Sequence, residues 1–287
     1  MEGSALSQVV LPLVLGLIMF GMGMSLTKDD FSRLLRMPSS VIAGLIGQIL
    51  ILPVMAFSLV VMLELPVHLA IGIMVLASCP GGTTSNLISH IAKANLALSI
   101  TLTAITTLIC VFTTPFIIQF SLHYFGVENP NFSLLEVTLG LIVISLLPVL
   151  VGLWVRHKFP IFALRQEPLF RRLAVIFMLL LIVGISWQER QSLSESFPNV
   201  FIITIALNAA ATILGVLIAK LFKLSRKDAV TLGIEIGTQN ASMAILITLT
   251  FLENPSYAIA CAVYGVTMYL GAMCLVLWNN LTQPKSQ

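Results

Sequence analysis

The sequence predicts an all-α polytopic membrane protein of nine transmembrane helices, an inverted repeat with two discontinuous helices that cross. Three observations carry this. Hydrophobic residues make up 58% of the 287-residue chain and charged residues 9%, against about 25% charged in an average soluble domain. Apolar runs of bilayer-spanning length, about 20 residues, recur along all of it, so 1–287 is read as one transmembrane unit with no separate soluble domain. Lys and Arg also segregate. With nine spans and an outside N-terminus, Lys28 to Arg36, Lys93, Arg156 to Arg172 (Arg165 and Arg171 among them), Lys220 to Lys227 and Lys285 fall on the cytoplasmic side, leaving Arg190 outside. That bias sets N-out, C-in orientation in a cell (inner) membrane. The net charge of +3 therefore gives no reason to expect nucleic acid as a partner. The basic loops read as topology determinants that touch anionic membrane lipid incidentally.

The first span, 8–26, follows Met-Glu-Gly-Ser, which lacks the positive region of a signal peptide, so it is expected to remain. Its Gly21-Met-Gly23 suits close helix packing. The second, 39–63, holds one isolated polar residue, Gln48. The third, 67–91, contains Ser78-Cys-Pro-Gly-Gly-Thr-Thr-Ser-Asn86, a helix-breaking Pro and two flexible Gly followed by residues that cap helix starts. In the fourth, 95–122, Ser99 and Thr103 share one helix face; they either back-bond to their own helix or direct two hydroxyls at a common point. The fifth and sixth, 134–156 and 172–187, are apolar, and the seventh, 198–221, carries an isolated Asn208. The eighth, 228–252, holds Glu235 deep in an apolar stretch, beside a second polar interruption at Gly237-Thr-Gln-Asn-Ala-Ser242. The ninth is 256–279. Trp187 and Trp278 read as interfacial anchors.

An acid at mid-membrane costs roughly 2.5–3.5 kcal/mol on insertion scales, so it normally faces a cavity, binds an ion or relays protons. The interrupted third and eighth spans run in opposite directions, as an inverted repeat requires, with a binding site where they meet. Gln48 and Asn208 each lie one span upstream of a break. Around Glu235, the oxygens of Ser85, Asn86, Ser99, Thr103, Gln48 and Gln239 suit a partly dehydrated hard cation such as Na⁺. Half-helices starting near Thr83 and Asn240 aim N–H groups and positive dipole ends at the same crossing, which suits a carboxylate. One Glu cannot neutralise two Na⁺, and an anionic substrate would balance the surplus.

Nothing points to an enzyme. Cys79, Cys110, Cys261 and Cys274 are scattered without metal-ligand spacing, and His68, His90, His123 and His157 sit at span ends. No paired carboxylates, mid-membrane His or metal cluster offers catalytic groups.

Three blocks, Gly16-Leu-Ile-Met-Phe-Gly-Met-Gly-Met24 with Asp30-Phe31, Cys79-Pro-Gly-Gly-Thr-Thr-Ser-Asn86 and Ile234-Glu-Ile-Gly-Thr-Gln-Asn240, make the chain resemble the bile acid:sodium symporters, in particular nine-span bacterial members. The resemblance implies a panel domain (1–38 and 130–195) packed on a core domain (39–129 and 196–287), with alternating access by movement of one against the other. It implies one Na⁺ site at Ser85, Asn86, Ser99, Thr103 and Glu235, and a second at Gln48, Glu235 and Gln239 with the carbonyls of Ile236 and Thr238. It implies substrate contacts at Thr83 and Asn240. Two Na⁺ serve as coupling ions, with no other cofactor. The expected function is sodium-coupled symport of an organic anion, bile acid-like or a small carboxylate; the alternative is a proton-coupled or uncoupled carrier in which Glu235 titrates. Bacterial bile-acid-type members often carry Trp-His-Asn where this chain has Val266-Thr-Met-Tyr269, which favours a smaller or different organic anion, such as a keto or hydroxy acid.

Overall fold

The computed structural model describes residues 9–127 and 132–282, without the side chains of Leu34 and Thr282. The expected start of the first span at Gln8, the Met1–Ser4 segment, the panel boundary at 130 and Lys285 lie outside the described residues. Those residues are helical, with a single isolated antiparallel bridge between Gly81 and Gln239.

Among the described residues, six helices are long and apolar enough to cross a membrane. They are α3 (Pro38–Met62), α6 (Leu96–Tyr124), α7 (Leu134–Lys158), α8 (Pro160–Gln188), α9 (Arg190–Leu221) and the segment Pro255–Leu281, most of which is α12 (Ala258–Thr282). These fall on the expected second, fourth, fifth, sixth, seventh and ninth spans. The stretch expected as the first span holds the 15-residue α1 (Leu11–Ser25), followed by the short α2 (Lys28–Arg36). The third divides into α4 (Val67–Ser78) and α5 (Thr84–Ile91), and the eighth into α10 (Arg226–Gly237) and α11 (Ala241–Phe251).

Local sequence explains these ends. Side chains of Asn95, Ser133 and Ser225 accept hydrogen bonds from Leu98 N, Glu136 N and Asp228 N, capping α6, α7 and α10. Thr27 and Asp30 form a capping box that opens α2, and Arg33 pairs with Asp30. Glu64, Lys93, Lys223 and Glu253 adopt positive φ (47°, 53°, 53° and 49°), closing α3, α5, α9 and α11 with left-handed residues. Ile46–Ile51 in α3 and Ile142–Leu146 in α7 are π-helical, each running into a Leu-Pro pair, Leu52-Pro53 and Leu147-Pro148. A proline lacks the N–H of a normal turn, and the wider turn before it absorbs the mismatch.

α1 packs on α7 and α8, while α9 packs on α10 and α12, and α4 on α6. The packing is continuous, with α6 also touching α7 and α8 touching α12. α7 and α8 are peripheral, with 22% and 17% of their most apolar windows buried, whereas α6 and α12 are central at 61% and 56%. The α1–α7 crossing depends on glycine. A Cβ on Gly152 would meet Gly23 Cα at 2.9 Å, and one on Gly23 would meet Val149 Cα at 2.9 Å, which accounts for Gly23; Gly21 instead faces Phe170 of α8. Gly152→Val should therefore destabilise the protein by about 1–3 kcal/mol through overpacking, read as a lower melting temperature in detergent. An unchanged melting temperature would mean that the two helices separate freely.

Candidate ion and anion site

The breaks in the third and eighth spans meet. Gly82 N donates to Thr238 O (2.9 Å) and Asn240 N donates to Pro80 O (3.0 Å), so each interruption satisfies backbone groups freed in the other. Side chains reinforce the junction. Asn208 Nδ2 donates to the carbonyls of Gly237 (2.9 Å) and Met268 (3.0 Å), its Oδ1 accepts from Gly271 N (2.8 Å), and Tyr264 Oη donates to Gly237 O (2.9 Å). Asn208 thus staples the end of α10 to α12, and Tyr264, which sequence reasoning missed, completes the staple. Only its burial distinguishes Tyr264 from an ordinary packing aromatic.

Glu235 is 1% exposed. Its Oε2 accepts from Ser85 Oγ (2.6 Å) and Ser99 Oγ (2.8 Å), and its Oε1 from Thr103 Oγ1. Ser99 Oγ also lies 2.8 Å from Asn86 Oδ1, and Thr103 Oγ1 lies 3.0 Å from Ser99 O and 3.5 Å from Asn86 Oδ1. Three hydroxyls bring three hydrogens to these six approaches. The three hydroxyl hydrogens suffice for the carboxylate, which leaves the hydroxyl lone pairs free to meet a hard cation. The five residues of the expected first sodium group, drawn from α5, α6 and α10, thus lie together. Gly81 is required here, because a Cβ on it would sit 2.6 Å from Glu235 Oε1.

The second expected group lies across the break. Gln48, carried on the π-helical turn of α3, donates through Nε2 to Gln239 Oε1 (2.7 Å) and Cys79 O (3.1 Å), and Gln239 Nε2 donates to Ile236 O (2.7 Å). The Thr238 carbonyl is engaged by Gly82 N. The Thr238 hydroxyl, which sequence reasoning passed over, is buried with no partner among the described residues.

Two cavities adjoin the crossing between α1 and α8 on one side and α5 and α11 on the other. The larger, about 250 Å³, is lined by Thr83 and Asn86 together with Ile18, Met22, His90, Glu167, Phe170 and Arg171. The smaller, about 40 Å³, is lined by Thr83, Gln239, Asn240, Arg171 and Met268. Both expected substrate residues stand at a half-helix start. Asn240 Oδ1 caps α11 by accepting from Met243 N (3.1 Å), which commits its oxygen and leaves its amide hydrogens to donate. Thr83 precedes α5 without capping it. From the Val266–Tyr269 stretch the small cavity receives Met268, an apolar side chain. Sequence reasoning read Arg171 only as a topology marker; in the structure it lines both cavities. Its place at the edge of an apolar run, with Glu167 one turn before, was the available signal.

A helical membrane protein with interrupted helices joined at a buried acidic, oxygen-rich centre is built as a transporter. The comparisons with known proteins then give the family: the chain belongs to the sodium bile acid symporter family, whose pattern matches residues 12–196, and this is a family of transporters, not enzymes. It is 33% identical over 273 residues to the uncharacterized sodium-dependent transporter YocS of Bacillus subtilis, covering 94% of this chain and 83% of that protein. It is 30% identical to the probable sodium/metabolite cotransporter BASS1, chloroplastic, of Arabidopsis thaliana, covering 93% of this chain but 66% of that longer protein. It is 25% identical to the human ileal sodium/bile acid cotransporter, over 86% of this chain and 71% of that protein.

Proposed function

We propose that this protein is a sodium-coupled symporter of an organic anion that works by alternating access. The observation that carries the reading is the cluster of three hydroxyls and the Asn86 amide around buried Glu235. Three donated hydrogen bonds suit an ionised, acceptor-only carboxylate, and this favours sodium over a titrating Glu235. In this reading Ser85, Asn86, Ser99, Thr103 and Glu235 hold one Na⁺. Gln48, Glu235, Gln239 and the carbonyls of Ile236 and Thr238 hold the second. The anion sits by Thr83 and Asn240, where two positive helix ends and two bound ions offset its charge.

The chain would cross the inner membrane nine times, N-out and C-in. Its panel is α1, α7 and α8, and its core is α3 to α6 with α9 to α12. The inverted repeat is supported by the left-handed closing residues, which match in pairs: Glu64 and Lys223 end the second and seventh spans, and Lys93 and Glu253 the third and eighth. Within each pair the basic member, Lys223 or Lys93, falls on the side assigned to the cytoplasm. The larger cavity lies toward Ser25, His90 and Arg171, on the side assigned to the cytoplasm, so this conformation faces inward.

The test is the melting temperature of the purified protein in detergent, titrated with NaCl against KCl at constant ionic strength. Ligand binding to the folded state raises it by mass action. A saturable rise with Na⁺ alone is expected; equal curves in the two salts would remove the sodium sites from the reading.

A further inference from the structure

The larger cavity contains an ion pair that the sodium groups do not use. Arg171 of α8 lies 3.5 Å from Glu167, one turn earlier on the same helix, with side chains 45% and 26% exposed. A pair so long and so open to water contributes little to stability, and its geometry is not that of a closed fork. Arg171 is the single Lys or Arg among the residues lining the two cavities, and it shares both with Thr83. The wall of the larger cavity is mixed: Ile18, Met22, Leu87, Ile100, Phe170 and Ala174 are apolar, and Ser25, Asn86 and His90 add polar groups.

We propose that Arg171 is the residue that receives the carboxylate of the transported anion, and that Glu167 is an internal stand-in which the anion displaces. This rests on the symporter reading and extends it. A guanidinium presents two parallel N–H donors to a carboxylate, which a lysine cannot copy. With its head on Arg171 near Thr83, the anion lays its body against the apolar part of the wall. The cavity of about 250 Å³ and its single permanently charged cation, Arg171, define the class: a small monocarboxylate with a short apolar body. Charge bookkeeping agrees. Arg171 and Glu167 cancel, so an anion added at Arg171 supplies the one negative charge that two Na⁺ and Glu235 leave wanting. Because Arg171 is on α8 and Thr83 precedes α5, the bound acid would also link the proposed panel to the proposed core.

The experiment measures the shift in melting temperature produced by 2-oxoisovalerate, lactate and the uncharged isovaleramide, each added at saturating NaCl, for the wild type, R171Q, R171K and E167Q. The expected wild-type result is a shift with 2-oxoisovalerate, a smaller one with lactate and none with the amide. R171Q should raise the 2-oxoisovalerate Kd at least about tenfold, R171K should recover it in part, and E167Q should lower it by removing the competitor. Wild-type affinity in R171Q, or weaker binding in E167Q, would overturn the assignment of Arg171, as would a wild type that responds to none of the acids. The rise with NaCl alone is read on the same samples, and its loss in the wild type would instead overturn the symporter reading itself.

Discussion

Glu235→Gln should abolish sodium-driven uptake into proteoliposomes and the sodium-dependent rise in melting temperature, with sodium affinity falling by roughly two orders of magnitude. The substitution keeps the shape and one carbonyl oxygen but removes the formal charge. It also turns one acceptor into an amide donor facing Ser85, Ser99 and Thr103, whose hydroxyls all point at the carboxylate. The variant should fold, because a neutral amide is cheaper to bury than a carboxylate. Uptake that still follows the sodium gradient in this variant would take Glu235 out of the ion site. Uptake that follows a pH gradient in the wild type, with indifference to Na⁺, would select the proton-coupled alternative.

The second large effect is expected from one methyl group. Gly81→Ala places a Cβ 2.6 Å from Glu235 Oε1 and 3.3 Å from its carboxyl carbon, well inside van der Waals contact. Either the carboxylate moves off the Ser85–Ser99–Thr103 cluster or the bridge between Gly81 and Gln239 opens. Overpacking of this kind costs about 1–3 kcal/mol, so a folded but less stable protein is expected, with sodium affinity reduced at least about tenfold. Sodium titration of the melting temperature reads both quantities at once. Normal sodium affinity in Gly81→Ala would show that the carboxylate has freedom the packing denies it.

Much of this site could be read in the sequence because the membrane makes polar residues conspicuous. Glu235 and Gln48 stand out against apolar neighbours, and Pro80 with Gly81 and Gly82 marks a break that local chemistry forces. Ser99 and Thr103 were ambiguous between back-bonding and a shared target; Thr103 Oγ1 lies within reach of both Ser99 O and Glu235, and its one hydrogen suits the carboxylate. Other features depend on tertiary contact and leave no local trace. The sixth span was expected at 172–187, but α8 runs over Pro160–Gln188. Arg165, Glu167, Arg171 and Arg172 dilute the hydropathy of its first turns without breaking the helix, and that concealed Arg171 as a cavity residue. The π-helical turn that presents Gln48 is likewise invisible to a 3.6-residue period. The partnerless Thr238 hydroxyl follows from burial, which a polar interruption alone does not specify.

The two backbone hydrogen bonds that join Gly82 to Thr238 and Asn240 to Pro80 bear on how such a protein can change over generations. Segments far apart in the gene meet as one short ribbon, so a substitution in either moves the other. Altered substrate choice should therefore require paired changes around Thr83 and Asn240, each unfavourable alone, with effects that do not add. Lineages that acquire a new cargo would more readily do so through the facing α8 wall, where a side chain can be exchanged without touching that ribbon.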